Sequence, residues 1–257
     1  MILGAQFYTL RAHTQTEEGI REAFRRVSEI GYSVVQLSAI GKTLSAEYLA
    51  GLSKECSLPV TCTHSPLDRI KSDTEALIRE HKTYGCTEIG LGCAPGENRG
   101  SKENVRRLIA ALKEPVEKIR AAGLTFAYHN HAFEFDPIED TCMFDMLVEE
   151  TDWNFILDTY WVTYGGRNVA DEIRRLQGRI LNLHFKDMKE APQGPICACG
   201  NGVIDFAPII AACDETGVKY GLVEQDNAPD FVTETEDEYT QMAISAKHLL
   251  PLIAAAK

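Results

Sequence analysis

Apolar positions along this chain alternate between two spacings. Between Thr16 and Ile30, the residues Ile20, Ala23, Phe24, Val27 and Ile30 recur at three- and four-residue steps, which places them on one face of a helix. Gly31 then stops that helix. On either side, Ile2–Leu10 and Tyr32–Leu37 are short apolar runs of strand length. The same pairing recurs to the end of the chain. Strands are predicted over 59–64, 88–91, 124–131, 154–157, 180–184 and 220–224, and helices over 45–55, 70–84, 101–122, 144–150, 169–176, 207–216 and 237–253. Positions near the eight strand ends (Tyr8, Leu37, Thr63, Leu91, His129, Leu157, His184, Glu224) lie 26 to 40 residues apart, room for one helix between each pair. Strands joined through helices pair in parallel, and eight such units close most simply into an α/β barrel, a (β/α)8 TIM barrel with its helices outside. The 257 residues match that architecture as a single domain over 1–257, with no linker composition anywhere. An open doubly wound sheet would alternate too, but no GxGxxG follows the first strand.

A formal net charge of −12 argues against nucleic acid or an anionic membrane as partner, since both demand a cationic face. No apolar run approaches a membrane span and the N-terminus lacks the pattern of a secretion signal, so a cytoplasmic location is expected. Eight cysteines dispersed among the elements read as reduced thiols. Cys197-Ala198-Cys199 has a spacing that could hold a soft metal or form a redox pair, but no second such pair completes a four-ligand site and it is read as incidental. Association into a homo-oligomer is allowed by the sequence without any pattern that demands it.

Strand ends carry the chemistry in a β/α barrel, because its C-terminal rim brings together residues remote in sequence. The fifth strand runs into GLTFAYHNHAFEF, where Ala127, His129 and His131 share one side of an extended chain. A bend before Glu134 is expected, because a strand reaching Phe135 would be about twice the usual ~5–6 residues. Glu134, Asp158, His184 and Glu224 stand just beyond strands five to eight. Three carboxylates and an imidazole make a hard donor set suited to Mn²⁺ or Mg²⁺, with Co²⁺, Fe²⁺ or Zn²⁺ also accommodated. Around them, Tyr8, His64 and Trp161 are candidate substrate contacts, with Arg11 as a candidate clamp for a phosphate or carboxylate. Long strand-to-helix loops over 92–100 and 185–205 are expected on the same rim. The first of these lacks the GK[ST] ending of a phosphate loop, and few cations stand near the rim, which favours a non-phosphorylated substrate.

The segments AQFYTLR (5–11), AYHNHAFEF (127–135), LDTYW (157–161), LHFKD (183–187), GNGVIDF (200–206) and VEQDN (223–227) together resemble the sugar phosphate isomerase/epimerase family, the xylose isomerase-like barrels, in the branch with a YHNHxxEF signature. The resemblance implies a divalent metal held by Glu134, Asp158, His184 and Glu224, with Trp161 and Lys186 beside a small carbohydrate substrate. It also implies proton removal next to a carbonyl, by a glutamate (Glu134 or Glu224) or by His129 or His131. In the family's epimerases a glutamate inside strand five pairs with one on strand eight; here strand five carries His129-Asn130-His131 instead. The expected activity is therefore a metal-dependent isomerase or epimerase, with a dehydratase or lyase acting on a keto-inositol or 3-keto-glycoside as the alternative. A non-catalytic sugar-binding subunit and a DNA-cleaving barrel are the remaining readings, the last disfavoured by charge.

Overall fold

The computed structural model describes residues 1–256. Eight parallel strands close into a barrel: β1 (Ile2–Gln6), β2 (Val34–Leu37), β3 (Val60–Ser65), β4 (Glu88–Leu91), β5 (Thr125–His129), β6 (Asn154–Asp158), β7 (Ile180–Phe185) and β8 (Tyr220–Val223). Each pairs with its sequence neighbours, and β8 returns to β1 with Tyr220 beside Ile2. Alternation sorts the side chains into two layers. Val34, Cys62, Ala127, Ile156 and Leu222 fill the inside of the barrel. Residues of opposite parity, such as Phe126 and Tyr128, face the helices and pack on Trp153.

The flanking helices are α1 (Glu17–Ile30), α2 (Ala46–Glu55), α3 (Leu67–Ser72), α4 (Thr74–Thr83), α5 (Lys102–Ala121), α6 (Met143–Glu150), α7 (Thr159–Tyr164), α8 (Val169–Arg175), α9 (Phe206–Thr216) and α10 (Glu238–Ala255). Their ends follow local chemistry. Thr16, Ser45 and Ser101 accept the N–H three residues on, and Asp237 forms a reciprocal capping box with Thr240.

Three departures from the sequence pattern shape the rim. Strand one stops at Gln6, whose side chain accepts the Tyr8 N–H and starts a 3-10 turn over Phe7–Leu10. The segment predicted as one helix over 70–84 is two helices broken at Asp73. Helix α7, absent from the prediction, begins directly after Asp158, whose Oδ1 caps it through the Trp161 N–H at 3.1 Å. The apolar LDTYW run hides that cap in the sequence. The loop after β7 is organised by Asp187, whose carboxylate accepts the N–H groups of Met188, Gly200, Gly202 and Ile204. A Cβ on Gly202 would lie 2.3 Å from that carboxylate, which accounts for the second glycine of GNG. All eight cysteines are free, and Cys197 and Cys199 are buried. Among the described residues no helix is long and apolar enough to cross a membrane.

Candidate metal centre and active site

Parallel register places β6 and β7 side by side with Asp158 opposite His184, while β7 also pairs with β8 just before Glu224. Their side chains turn inward at the C-terminal rim, and His129 joins them from the end of β5. One ligand atom from each of His129, Asp158, His184 and Glu224 lies within 4.8 Å of all the others. His184 Nδ1 stands 2.9 Å from Glu224 Oε2 and 3.7 Å from Asp158 Oδ2, and His129 Nε2 is 3.5 Å from Asp158 Oδ2.

The surroundings aim these atoms at a common point. His184 Nε2 donates to Gln36 Oε1 at 2.7 Å, which leaves the Nδ1 lone pair facing the carboxylates. His129 Nδ1 donates to the Gly92 carbonyl at 3.1 Å and leaves Nε2 bare. Asp158 commits Oδ1 to the α7 cap, and its backbone N–H is held by Asn130 Oδ1 at 3.0 Å. As a result His129 Nε2, His184 Nδ1, Asp158 Oδ2 and Glu224 Oε2 are all buried without a hydrogen-bond partner. The Lys186 ammonium partly compensates the two carboxylate oxygens, whereas the two imidazole nitrogens have no donor; a divalent cation would engage all four lone pairs at once. The donor set therefore fits a divalent metal on the chemistry of its own residues.

A buried cation faces the same carboxylates. Lys186 is 1% exposed, and its ammonium lies 3.0 Å from Asp158, 2.9 Å from Glu224 and 3.1 Å from Asp226. Burial opposes ionisation of both Asp158 and Glu224. The Lys186 ammonium and neighbouring imidazoles outweigh it and hold both well below the usual carboxylate range. Burial likewise opposes a charge on His184, but Glu224 beside it raises that imidazole.

Glu134, expected among the ligands, does not join this group. Its 3-10 turn, Phe133–Phe135, folds it onto the outer side of β5, where Oε1 accepts the Tyr128 hydroxyl at 2.6 Å and Oε2 the His131 N–H at 2.7 Å. Burial lifts Glu134 to about 7. His129 stands where Glu134 was expected, so the group has two imidazoles and two carboxylates. Parity put His129 on one side of the strand with Ala127 and His131, as a candidate base and not as a ligand; the missing signal was the turn that takes Glu134 outside.

Beside this group lies a cavity of about 580 Å³ whose wall includes Tyr8, His64, His131, Lys186, Glu224 and Asp226. His131 Nδ1 and His64 Nε2 are buried and unpartnered. Burial, then the neighbouring His129 and Lys186, lowers His131 to about 3, and burial with the neighbouring imidazoles keeps His64 well below its ordinary value. Both are neutral imidazoles. Trp161 approaches His131 and Lys186, with ring-to-ring and ring-to-ammonium distances of 5.6 and 5.4 Å. Arg11 does not reach the cavity: its guanidinium lies on the Tyr8 ring and donates to the carbonyls of Tyr8 and Asp226.

The model of the xylose isomerase-like TIM barrel family matches residues 24–243. The chain belongs to that family. One similar curated protein is an inosose dehydratase of Lacticaseibacillus casei, 27% identical over 144 residues, 48% of each chain. The chain spans about half the length of the curated relatives it matches. A sugar phosphate isomerase/epimerase from Parabacteroides distasonis superposes with a TM-score of 0.80 over 98% of this chain and 99% of that one, at 18% identity. A zinc-bound protein named IOLI superposes with a TM-score of 0.76 over 100% and 99%, at 15% identity. At these identities the two structures bear on the fold alone.

Proposed function

We propose that this barrel is a metal-dependent carbon–oxygen lyase that removes a proton next to the carbonyl of an uncharged polyol ketone and expels a β-oxygen, as water in the simplest case. The observation that carries the reading is the convergence of four unpartnered donor atoms beside a cavity that holds a neutral, unpartnered imidazole, His131. His129, Asp158, His184 and Glu224 would hold the metal. Two nitrogens and two oxygens favour Mn²⁺, Fe²⁺, Co²⁺ or Zn²⁺ over Mg²⁺. When bound, such an ion supplies electrostatic stabilisation of negative charge on a substrate oxygen. His131 takes the α-proton on its imidazole and returns it to the departing oxygen, so one group serves both halves of the elimination. Lys186, held charged by three carboxylates, steadies the developing oxyanion and orients hydroxyls.

Two observations favour elimination over epimerisation. Glu134 faces away from the cavity, so no glutamate of β5 opposes Glu224 across a substrate. The similar curated proteins are inosose dehydratases. An isomerase or epimerase is the second reading, and His64 supports it: its bare Nε2 offers a second neutral base on the other side of His129, with ring centroids 4.8 Å apart. The uncharged substrate follows from electrostatics. Lys186 is already balanced by Asp158, Glu224 and Asp226, and Arg11 is tied to backbone carbonyls, so among the described residues of the cavity wall no cation is left to receive a phosphate.

Incubating Mn²⁺-loaded protein with a keto-inositol and with ketohexoses, and analysing products by mass spectrometry and NMR, tests this. Loss of one water from the keto-inositol supports the lyase. A product of unchanged mass and altered configuration would replace it with the epimerase.

A further inference from the structure

His64 stands on β3 beside the donor group without belonging to it. Its ring centroid lies 4.8 Å from that of His129 and 5.5 Å from that of His184, and the residue lines the reaction cavity. These three imidazoles offer ligand atoms within 4.8 Å of one another, a spacing that could hold a cation. Gln6 decides against that. Its Oε1 accepts the Tyr8 N–H at 3.0 Å, which fixes the amide and leaves Nε2, a donor only, 3.4 Å from His64 Nδ1. Nδ1 is therefore the acceptor of this pair, and a neutral imidazole with its lone pair on Nδ1 carries its proton on Nε2. Glycine lets the ring take this pose: a Cβ on Gly92 would lie 2.9 Å from His64 Cγ and Nδ1, closer than a side chain tolerates. With Nδ1 engaged and Nε2 protonated, neither nitrogen has a lone pair free for a metal or for an α-proton. What is left is a buried N–H on Nε2 without an acceptor among the described residues. Such a stranded donor carries a cost that a ligand oxygen removes.

We infer that His64 is a hydrogen-bond donor to the substrate oxygen that gains negative charge, and that Gln6 is the positioning residue that selects the tautomer for it. This rests on the lyase reading and deepens it. As the α C–H bond breaks, its proton passes to His131, its electron pair forms a C=C bond, and the carbonyl π pair moves onto oxygen. His64 Nε2–H donates to that oxygen alongside Lys186 and keeps its own proton throughout. The pair then returns from oxygen, the β C–O bond breaks, and the departing oxygen takes the proton from His131. Nε2 would serve as a second base only with the proton on Nδ1, which the Gln6 amide opposes. The same contact therefore weighs against proton transfer on two faces of a substrate, and so against epimerisation.

Long-range ¹H–¹⁵N NMR of Zn²⁺-loaded protein with labelled histidine reads the tautomer directly, and His64→Gln identifies the His64 signals by their disappearance. Nε2 is expected to be the protonated nitrogen. In Gln6→Glu, whose carboxylate accepts and does not donate, Nδ1 gains a proton. Turnover separates a donor from a base. With Mn²⁺-loaded protein and a keto-inositol, His64→Leu is expected to lower kcat about 10²-fold. His64→Gln supplies an amide N–H in place of Nε2–H but cannot take up a proton, and it recovers kcat to within about tenfold of wild type. Metal affinity, measured by chelator competition, stays within about twofold in both variants. A proton on Nδ1 in the wild type would overturn the donor assignment, as would equal losses of kcat in His64→Gln and His64→Leu. A loss of metal affinity of about tenfold or more in His64→Leu would overturn it too, by making His64 a ligand. If Nε2 carries the proton and the ketone is epimerised rather than dehydrated, the donor assignment stands and the lyase reading fails.

Discussion

Removing the carbonyl that orients His184 should weaken metal binding without touching a ligand. Gln36 is fully buried, and its Oε1 accepts the His184 Nε2–H at 2.7 Å. In Gln36→Leu that N–H keeps no partner, and stranding a buried donor costs about 1–3 kcal/mol. The imidazole escapes the cost by moving its proton to Nδ1, where Glu224 Oε2 waits 2.9 Å away. That tautomer turns an N–H toward the metal. Since about 1.4 kcal/mol is a factor of ten, the expected loss of affinity is about 10- to 100-fold, in line with what supporting partners of ligating histidines generally contribute. Competition of apo-protein with a chromophoric chelator for Mn²⁺ and Zn²⁺ measures it, with circular dichroism to verify the fold. Gln36→Glu, which restores an acceptor, should recover the affinity. If Gln36→Leu folds and binds both ions within about twofold of wild type, the argument that His184 is a ligand through Nδ1 is wrong.

Other expectations follow from the same geometry. Glu134→Leu removes the acceptor for Tyr128 and for the His131 backbone, so turnover should fall about tenfold or more while metal affinity stays unchanged; weakened metal binding would return Glu134 to the ligand set. His131→Asn should keep the metal and slow α-proton exchange by about 10²-fold or more, read by NMR in D₂O; undiminished exchange would pass the base to another group. Metal affinity should fall as pH drops, because the raised His184 must lose its proton before Nδ1 can bind, and a pH series of chelator competitions reads that slope directly. Glu88, buried inside the barrel with Asn182, Asn154 and Thr125 as partners, is raised from 4.5 to about 6, chiefly by burial. The folded state then binds more protons than the unfolded one between those values, so this group's stabilising effect is present below pH 4.5 and lost as pH rises through 6. The loss is about 2 kcal/mol, and urea unfolding of Glu88→Gln against wild type should show a stability difference that shifts by that amount across the window.

Much of this was legible in the chain. Period 3.6 alternating with short apolar runs gives the eight-fold repeat, and the repeat carries Asp158, His184 and Glu224 to one rim because each sits at the same phase of its unit. His129 was legible only as a candidate base on the same strand side as Ala127 and His131, not as a member of the donor group. Glu134 was not, because its position depends on a 3-10 turn whose anchors, the Tyr128 hydroxyl and the His131 N–H, belong to the outer face of the strand and leave no periodic trace. Helix α7 was hidden for a related reason: its cap is Asp158, and a run such as LDTYW has strand-like composition until the aspartate is seen to use Oδ1 on a backbone N–H. Arg11 looked like an anion clamp in sequence, whereas the 3-10 turn after β1 brings the Tyr8 and Asp226 carbonyls within its reach.

On the proposed chemistry, a metal held by His129, Asp158, His184 and Glu224 enables removal of a proton next to a carbonyl. Deuterium exchange from D₂O into a keto-inositol or a 3-keto-glycoside, followed by NMR, tests it most directly, with apo-protein, Mn²⁺-loaded protein and Mn²⁺-loaded Asp158→Asn compared side by side. Exchange or elimination is expected in the loaded wild type alone, restored to the apo-protein by adding Mn²⁺. Equal exchange with and without metal, or full activity in Asp158→Asn, would contradict it.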